Sequence, residues 1–253
     1  MSKCWEFKNE ANHCSLSIFG EIEDVQKWGD EVTPQTFKDE LAQCAGPLDV
    51  YINSGGGDAF AGHAIYNILK RYEGRTTVYI DGVAASIASV IAMAGDRIVM
   101  PANALMMIHN AWGDGRGNAA AHRELADTLD RLDQTIVGVY ADRTGTDRQK
   151  IAAMMSAETW FTAAEALEAG LVEEIEANKR VAASLIGDFA TINGQRVDVR
   201  RYANAGKLLN MAAAGTDNGG EGQPVQDSDK ALGIQRNRFW AMKRRILETI
   251  DRE

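Results

Sequence analysis

The chain has 253 residues, of which 45% are hydrophobic and 25% charged, and it carries a formal net charge of −9. That balance suits one large globular domain with an appendage, or two small domains. It excludes a bilayer-spanning segment, argues against general nucleic-acid binding because an acidic surface repels phosphates, and leaves three cysteines without the CxxC spacing of a zinc site or a disulfide framework.

The first residues lack the basic start and apolar run of a signal peptide, so a cytoplasmic setting is expected. Residues 16–22 read as a strand. Thr33 and Pro34 then look like an N-cap and first helical position, opening a helix that buries Phe37 and Leu41. A strand follows at 48–52 and runs into Asn53-Ser54-Gly55-Gly56-Gly57-Asp58, which is glycine-rich enough to predict a loop. Ala61, Ala64, Ile65, Ile68 and Leu69 recur at helical spacing over 59–72. Residues 76–80 form the next strand, residues 81–85 a turn, and 86–94 a buried helix of small residues.

Short strands at 97–100 and 105–108 come next, so strand and helix alternate with crossovers of βαβ length. The longest helix covers 119–142, with an apolar stripe of Leu125, Leu129, Leu132, Ile136, Val139 and Tyr140. Thr146 is expected to cap a short helix through Met155. Thr162 and Glu165 form a capping box, Gly170 ends that helix, and 171–175 is the last strand. Beyond about residue 180 the pattern weakens. Residues 214–229 read as a linker, and 230–252 as an amphipathic helix whose Arg236, Arg238, Lys243, Arg244 and Arg245 make a solvated or docking face.

Three features follow strands, where α/β proteins place their sites. The Gly55-Gly56-Gly57 segment offers unhindered backbone N–H groups, but it has neither the GxGxxG spacing nor the lysine of a phosphate loop. Ser86 stands between small residues at a helix start, where a developing negative charge is favoured; alone it reads as an N-cap. His109 ends an apolar strand and can serve as a base; alone it reads equally as a core or rim histidine. His13, His63 and His122 have weaker claims. The order decides more than any one feature: oxyanion donors, then a hydroxyl, then an imidazole 109 − 86 = 23 residues later are what acyl transfer to water requires.

With these residues in place the sequence resembles the proteolytic subunit of the Clp protease. Ile52-Asn53-Ser54-Gly55-Gly56-Gly57 resembles that family's glycine segment, with Gly55 where the family has proline. Asp81-Gly82-Val83-Ala84-Ala85-Ser86-Ile87-Ala88 is similar to its nucleophile segment and Met107-Ile108-His109-Asn110 to its histidine segment. Trp160-Phe161-Thr162-Ala163-Ala164-Glu165-Ala166, with Gly170-Leu171-Val172, is similar to its closing helix and strand, and the similarity spans residues 14–178.

The resemblance implies Ser86 as nucleophile, His109 as base, and the N–H groups of Gly56 and Ile87 as an oxyanion hole. It implies an α/β, crotonase-like spiral of βαβ units stacked into homo-oligomeric rings, as a heptamer or double ring, with the long helix joining the rings. The family's triad aspartate falls at Thr159, with Glu158 its neighbour and rival. The tail, which ordinary subunits of the family lack, and the Glu158-Thr159-Trp160-Phe161-Thr162 wording resemble the phage and prophage branch linked to head maturation.

The expected organisation is a catalytic domain at 1–180, an extension and flexible linker at 181–229, and a C-terminal helix at 230–253. The expected function is a serine endopeptidase acting on extended polypeptides, without metal or cofactor, in the cytoplasm (the host's, if phage-encoded). An ATPase unfoldase or capsid and scaffold proteins are the partners implied. Two other readings stay open: a crotonase-type acyl-CoA enzyme, with Asp58 the nearest carboxylate to its glycine loop, and an assembly subunit whose site has decayed.

Overall fold

The protein's structure, a computed structural model, describes residues 4–10, 13–23, 34–177, 183–186, 188–193, 195–204 and 206. Thr33, the linker at 214–229 and the helix at 230–252 lie outside the described residues.

The main sheet grows from β2 (His13–Ile22), where Cys14, Leu16 and Ile18 are buried and the residues between them are half-exposed, the period of a strand with one face in the core. The chain then runs α1 (Pro34–Leu41), β3 (Leu48–Gly57), α2 (Ala59–Lys70), β4 (Thr76–Ala85), α3 (Ile87–Ala92) and β5 (Arg97–Pro101). Strands β2 to β5 pair in parallel, each separated by a helix, as the alternating sequence pattern predicts. An antiparallel edge strand absent from the sequence reading, β1 (Trp5–Glu10), lies against β2. Trp5 and Phe7 both meet the buried Phe37 of α1 edge-on, with centroids 5.2 Å away.

Two expectations are corrected here. Residues 53–57 are strand rather than loop, and residues 81–85 continue β4 rather than turning. Glycine lacks strand propensity, but pairing overrides it: Gly56 and Gly57 sit opposite Glu21 and Ile22 of β2. β4 is shared along its length. Its residues 77–79 pair with β5, whereas 83–85 pair with β6 (Leu105–Ile108), and β7 (Thr159–Thr162) closes antiparallel on β6. The sheet therefore splits at the end of β4, where the nucleophile candidate emerges. A short β8 (Glu174–Glu176) pairs with β5.

Helix α4 (Ala119–Thr144) buries Ile136, Val137, Tyr140 and Ala141 of its C-terminal half, while Leu125, Leu129 and Leu132 are half-exposed. Helix α5 (Arg148–Ser156) is capped by Asp147, not by Thr146, because the Asp147 carboxylate accepts from the Gln149 and Lys150 N–H groups. The capping box of α6 (Ala163–Glu168) forms as expected, and Gly170 follows in the left-handed region at φ +73°. No helix among the described residues is long and apolar enough to cross a membrane.

Alternate residues of β4, β6 and β7 feed two separate cores. Ala84, Met106, Ile108 and Phe161 join the main one, whereas Val83, Ala85, Leu105, Met107 and Trp160 join a second. The second is completed from the stretch where the sequence pattern weakens. There β9 (Ala183–Ile186), β10 (Phe189–Ile192) and β11 (Gln195–Asp198) make an antiparallel three-stranded sheet, followed by a 3₁₀ turn, Val199–Arg201. Ala190, Ile192, Val197, Val199 and Tyr202 supply the other half of that core.

Candidate active site

Ser86 lies between β4 and α3 with φ 56° and ψ −132°, a backbone conformation that a residue with a side chain adopts only where its surroundings impose it. The constraints are visible. The Ser86 N–H donates to the Met107 carbonyl at 3.0 Å, and its own carbonyl accepts from the Ser89 N–H at 3.0 Å. The Ser89 hydroxyl lies 2.6 Å from the Ser86 carbonyl, 2.9 Å from that of Met107 and 2.7 Å from the Tyr140 hydroxyl. Since Ser89 has one proton, given to a carbonyl, Tyr140 donates to it. Alanines 84, 85 and 88 are fully buried and leave the sharp turn room to form. Strain and tight anchoring together push the Ser86 side chain out of the sheet.

The Ser86 Oγ is 2.8 Å from His109 Nε2. His109 directly follows β6, and the pairing of β6 with β4 brings the two residues together across 23 positions of sequence. Burial lowers the His109 pKa from 6.5 to about 4, so the ring is neutral near pH 7 and, with its proton on Nδ1, accepts the serine hydroxyl at Nε2.

Gly56 closes the third side at φ +98°. A Cβ there would stand 2.6 Å from Ser86 Cβ and 3.1 Å from Ser86 Oγ, so only a glycine backbone fits so near the hydroxyl. Its N–H donates to the Ser54 hydroxyl at 3.1 Å, and Ser54 in turn donates to the Gly20 carbonyl at 2.5 Å. Ile87 opens α3, where the first N–H groups have no intrahelical acceptor.

The two residues proposed for the third position have other partners. Thr159 donates to the Met154 carbonyl at 2.6 Å. Register explains why: Thr159 pairs with Ile108, so it shares that residue's face of the sheet and not the face of His109. Glu158 is on the correct side but is turned away by a left-handed backbone, φ 48°. It is buried, accepting from the Trp160 indole at 3.2 Å and from the Ala203 and Asn204 N–H groups at 2.5 and 2.6 Å. Among the described residues, His109 has Ser86 as its hydrogen-bond partner and Tyr202 as its ring neighbour, 6.1 Å between centroids.

The remaining candidates lie elsewhere in role. Asp58 is the N-cap of α2, accepting from the Ala61 N–H at 2.8 Å. His13 contacts Asp49, His63 Nδ1 faces the Ala59 carbonyl of its own helix, and His122 is exposed on α4. A cleft of about 350 Å³ opens over Ser86 and His109, with Phe60, Val90, Trp112, Leu125 and Leu129 in its walls. Tyr202 and Ser89 are the contributors that sequence reasoning missed or set aside: Ser89 read as an ordinary buried helix serine, and Tyr202 has no local motif.

A profile of the Clp protease family matches residues 13–179. The ATP-dependent Clp protease proteolytic subunit of Bacteroides fragilis is 33% identical over 131 residues, covering 51% of this chain and 63% of that protein. The ATP-dependent Clp protease proteolytic subunit 2 of Treponema denticola is 30% identical over 172 residues, 67% of this chain and 84% of that protein. The corresponding subunit of Deinococcus radiodurans is 31% identical over 131 residues, 51% and 64% respectively. The matched region thus spans less than two thirds of the Bacteroides relatives.

Proposed function

This chain belongs to the Clp protease family, and from that premise we propose that it is a serine endopeptidase in which Ser86 attacks and His109 takes its proton. The observation that carries the reading is the 2.8 Å contact of Ser86 Oγ with a neutral imidazole at a strained strand-to-helix turn. In the first step the Ser86 oxygen bonds to the peptide carbonyl carbon while His109 Nε2 receives the hydroxyl proton. The oxyanion draws on the Gly56 and Ile87 N–H groups, the Gly56 N–H being shared between it and the Ser54 hydroxyl 3.1 Å away. The C–N bond then breaks as His109 protonates the leaving amine. His109 next takes a proton from water as the water oxygen bonds to the acyl carbon, and returns it to the Ser86 oxygen as the ester C–O bond breaks, freeing the acid product.

An extended substrate is expected along β3. That strand's pairing with β4 ends at Ser54, and among the described residues no strand lies against the β4-facing edge of Gly55 to Gly57, so main-chain bonds can be made there largely independent of sequence. An apolar side chain of the substrate fits the cleft walled by Val90, Leu125 and Leu129. Rings of subunits, an ATPase unfoldase partner, a cytoplasmic setting and a phage head-maturation role on capsid or scaffold precursors extend this proposal from the family resemblance. Asp58 weakens the acyl-CoA alternative, since its carboxylate is engaged as a helix cap.

Labelling with a fluorophosphonate tests the proposal. The adduct should map to Ser86, and Ser86→Ala should abolish both it and peptide hydrolysis. Undiminished labelling and hydrolysis in that variant would overturn it. Intact assemblies that never react with the probe would instead favour a decayed assembly subunit.

A further inference from the structure

The stretch after residue 180 lies beyond the residues matched to the family, yet it reaches the site at several points. The Asn53 amide, fully buried beside the glycine segment, donates to the Ile192 carbonyl of β10 at 3.0 Å while its oxygen accepts from the Val83 N–H of β4 at 3.2 Å. Asn193 donates to the Asp81 carbonyl, and Arg201 of the 3₁₀ turn pairs with Glu21 of β2. The Tyr202 hydroxyl donates to the Gly55 carbonyl at 2.5 Å. Its ring stands edge-on to Trp160 at 5.4 Å and tilted against His109 at 6.1 Å. Glu158 holds the following turn through the Ala203 and Asn204 N–H groups.

Two of these contacts bear directly on the proposed chemistry. The Gly55 carbonyl belongs to the same peptide unit as the Gly56 N–H. A donor on that oxygen fixes the plane of the unit, and with it the direction of the N–H that the oxyanion needs. The Tyr202 ring is the aromatic neighbour of the imidazole, at 6.1 Å between centroids, whereas Thr159 and Glu158 are bonded elsewhere. A methyl added at Gly55 would sit 3.0 Å from the Tyr202 hydroxyl and 3.2 Å from Val197, so the extension also closes on that backbone.

We infer that Tyr202 is a positioning residue: its hydroxyl orients the Gly55–Gly56 peptide as an oxyanion donor and its ring holds the His109 imidazole, so that the extension at 183–204 is a working part of the site. This rests on the serine-peptidase reading for its kinetic consequences, but not for its effect on the imidazole. Among the described residues, the polar groups around His109 are Ser86 from the β4–α3 turn, Tyr202 from the extension, Asp58 at the start of α2, Thr128 and Tyr140 of α4, and the Glu21–Arg201 pair along the cleft. Burial is the cause of the lowered His109 pKa, and Tyr202 is the ring neighbour whose removal would open the imidazole to water.

The test uses full-length Tyr202→Phe and Tyr202→Ala, read by kcat and KM on a fluorogenic peptide, by fluorophosphonate labelling rate, and by NMR titration of the His109 ring. Tyr202→Phe keeps the ring and loses the hydroxyl: kcat should fall about tenfold with KM and the imidazole pKa unchanged, a fraction of the loss on deleting an oxyanion donor outright. Tyr202→Ala should show the same fall and, in addition, a His109 pKa raised from about 4 toward 6.5. An unchanged imidazole pKa in Tyr202→Ala overturns the inference whatever the activity, as does a wild-type kcat per labelled site in Tyr202→Phe. Absence of labelling in the wild type with a shifted pKa in Tyr202→Ala would instead overturn the peptidase reading and leave the positioning of the imidazole standing.

Discussion

Burial of His109, with no carboxylate bonded to it among the described residues, should make the proposed reaction unusually tolerant of acid. If His109 is the base, kcat/KM follows the fraction of neutral imidazole in the free enzyme. With the pKa at about 4, about 97% of the rings are neutral at about pH 5.5; at the ordinary 6.5, about 9% would be. Activity should therefore hold to within a few per cent between about pH 7.5 and 5.5, where an unshifted base would lose about tenfold.

Stability should move the other way. Because the folded pKa lies below the unfolded one, the unfolded chain binds the proton first as pH falls. Folding stability is thus unaffected above 6.5, declines between 6.5 and about 4, and levels off below, losing 6.5 − 4 = 2.5 pK units or about 3 kcal/mol in full. By about pH 5.5 the loss is about 1 kcal/mol. The assay pairs initial rates on a fluorogenic peptide from about pH 4 to 8 with urea unfolding of wild type and His109→Gln at about pH 7.5 and 5.5. The wild type should lose about 1 kcal/mol more than the variant over that interval. An acid limb near 6.5, with no differential loss of stability, would refute the reasoning.

Three further outcomes follow from contacts already described. Gly56→Ala forces a Cβ to 2.6 Å from Ser86 Cβ and 2.8 Å from the Ala85 carbonyl at φ +98°, so labelling of Ser86 should fall by about 10²-fold or more; near-normal labelling would show that the segment relaxes freely. Ser89→Ala leaves the buried Tyr140 hydroxyl without its acceptor and should cost about 1–3 kcal/mol in urea unfolding, whereas Tyr140→Phe leaves Ser89 its carbonyls and should cost less; the reverse order would contradict the assigned donor directions. Burial first, then the neighbouring Cys14, raises the Cys44 pKa above the ordinary thiol value, so its alkylation at about pH 8 should be slower than that of a free thiol, and a normal rate would refute the burial argument.

How far the sequence disclosed this molecule depends on the range of the physics involved. Local periodicity marks α2, whose buried Ala61, Ile65 and Leu69 fall on one stripe, and the capping box of α6 is a four-residue signal that forms as read. Ser86 and His109 were legible because their segments resemble a family, and the sheet places them 2.8 Å apart. The glycine strand was not legible. Its conformation is imposed by β2, whose Ile22 carbonyl would lie 1.9 Å from any Cβ at Gly57, a constraint that exists only after the strands pair. Parity defeated the Thr159 assignment, because a strand reverses its facing with every residue and the register is set by the partner. Tyr202 was out of reach for a related reason: its function-bearing contact is with Gly55, 202 − 55 = 147 residues earlier, and neither residue carries a local pattern announcing the other.

Glu158 is the residue on which the chemistry and the architecture compete. A carboxylate beside a histidine suggests an orienting partner, but a buried charge takes the strongest donors within reach, and here these are two backbone N–H groups and an indole. Charge-assisted bonds of this kind contribute about 1.5–3 kcal/mol each. Glu158→Gln keeps the shape and one acceptor oxygen while removing the charge. If the anchor role holds, the turn at Ala203 and Asn204 loosens: limited proteolysis should cut after residue 200 sooner than in wild type, while the His109 titration stays near its wild-type position as long as Tyr202 remains seated. If Glu158 instead orients the imidazole during catalysis, the same substitution should lower kcat by orders of magnitude, shift the His109 titration, and leave the extension as resistant as before. The hydrogen bonds in place favour the first outcome, because three buried donors hold the carboxylate toward the turn at Ala203 and Asn204 and away from His109.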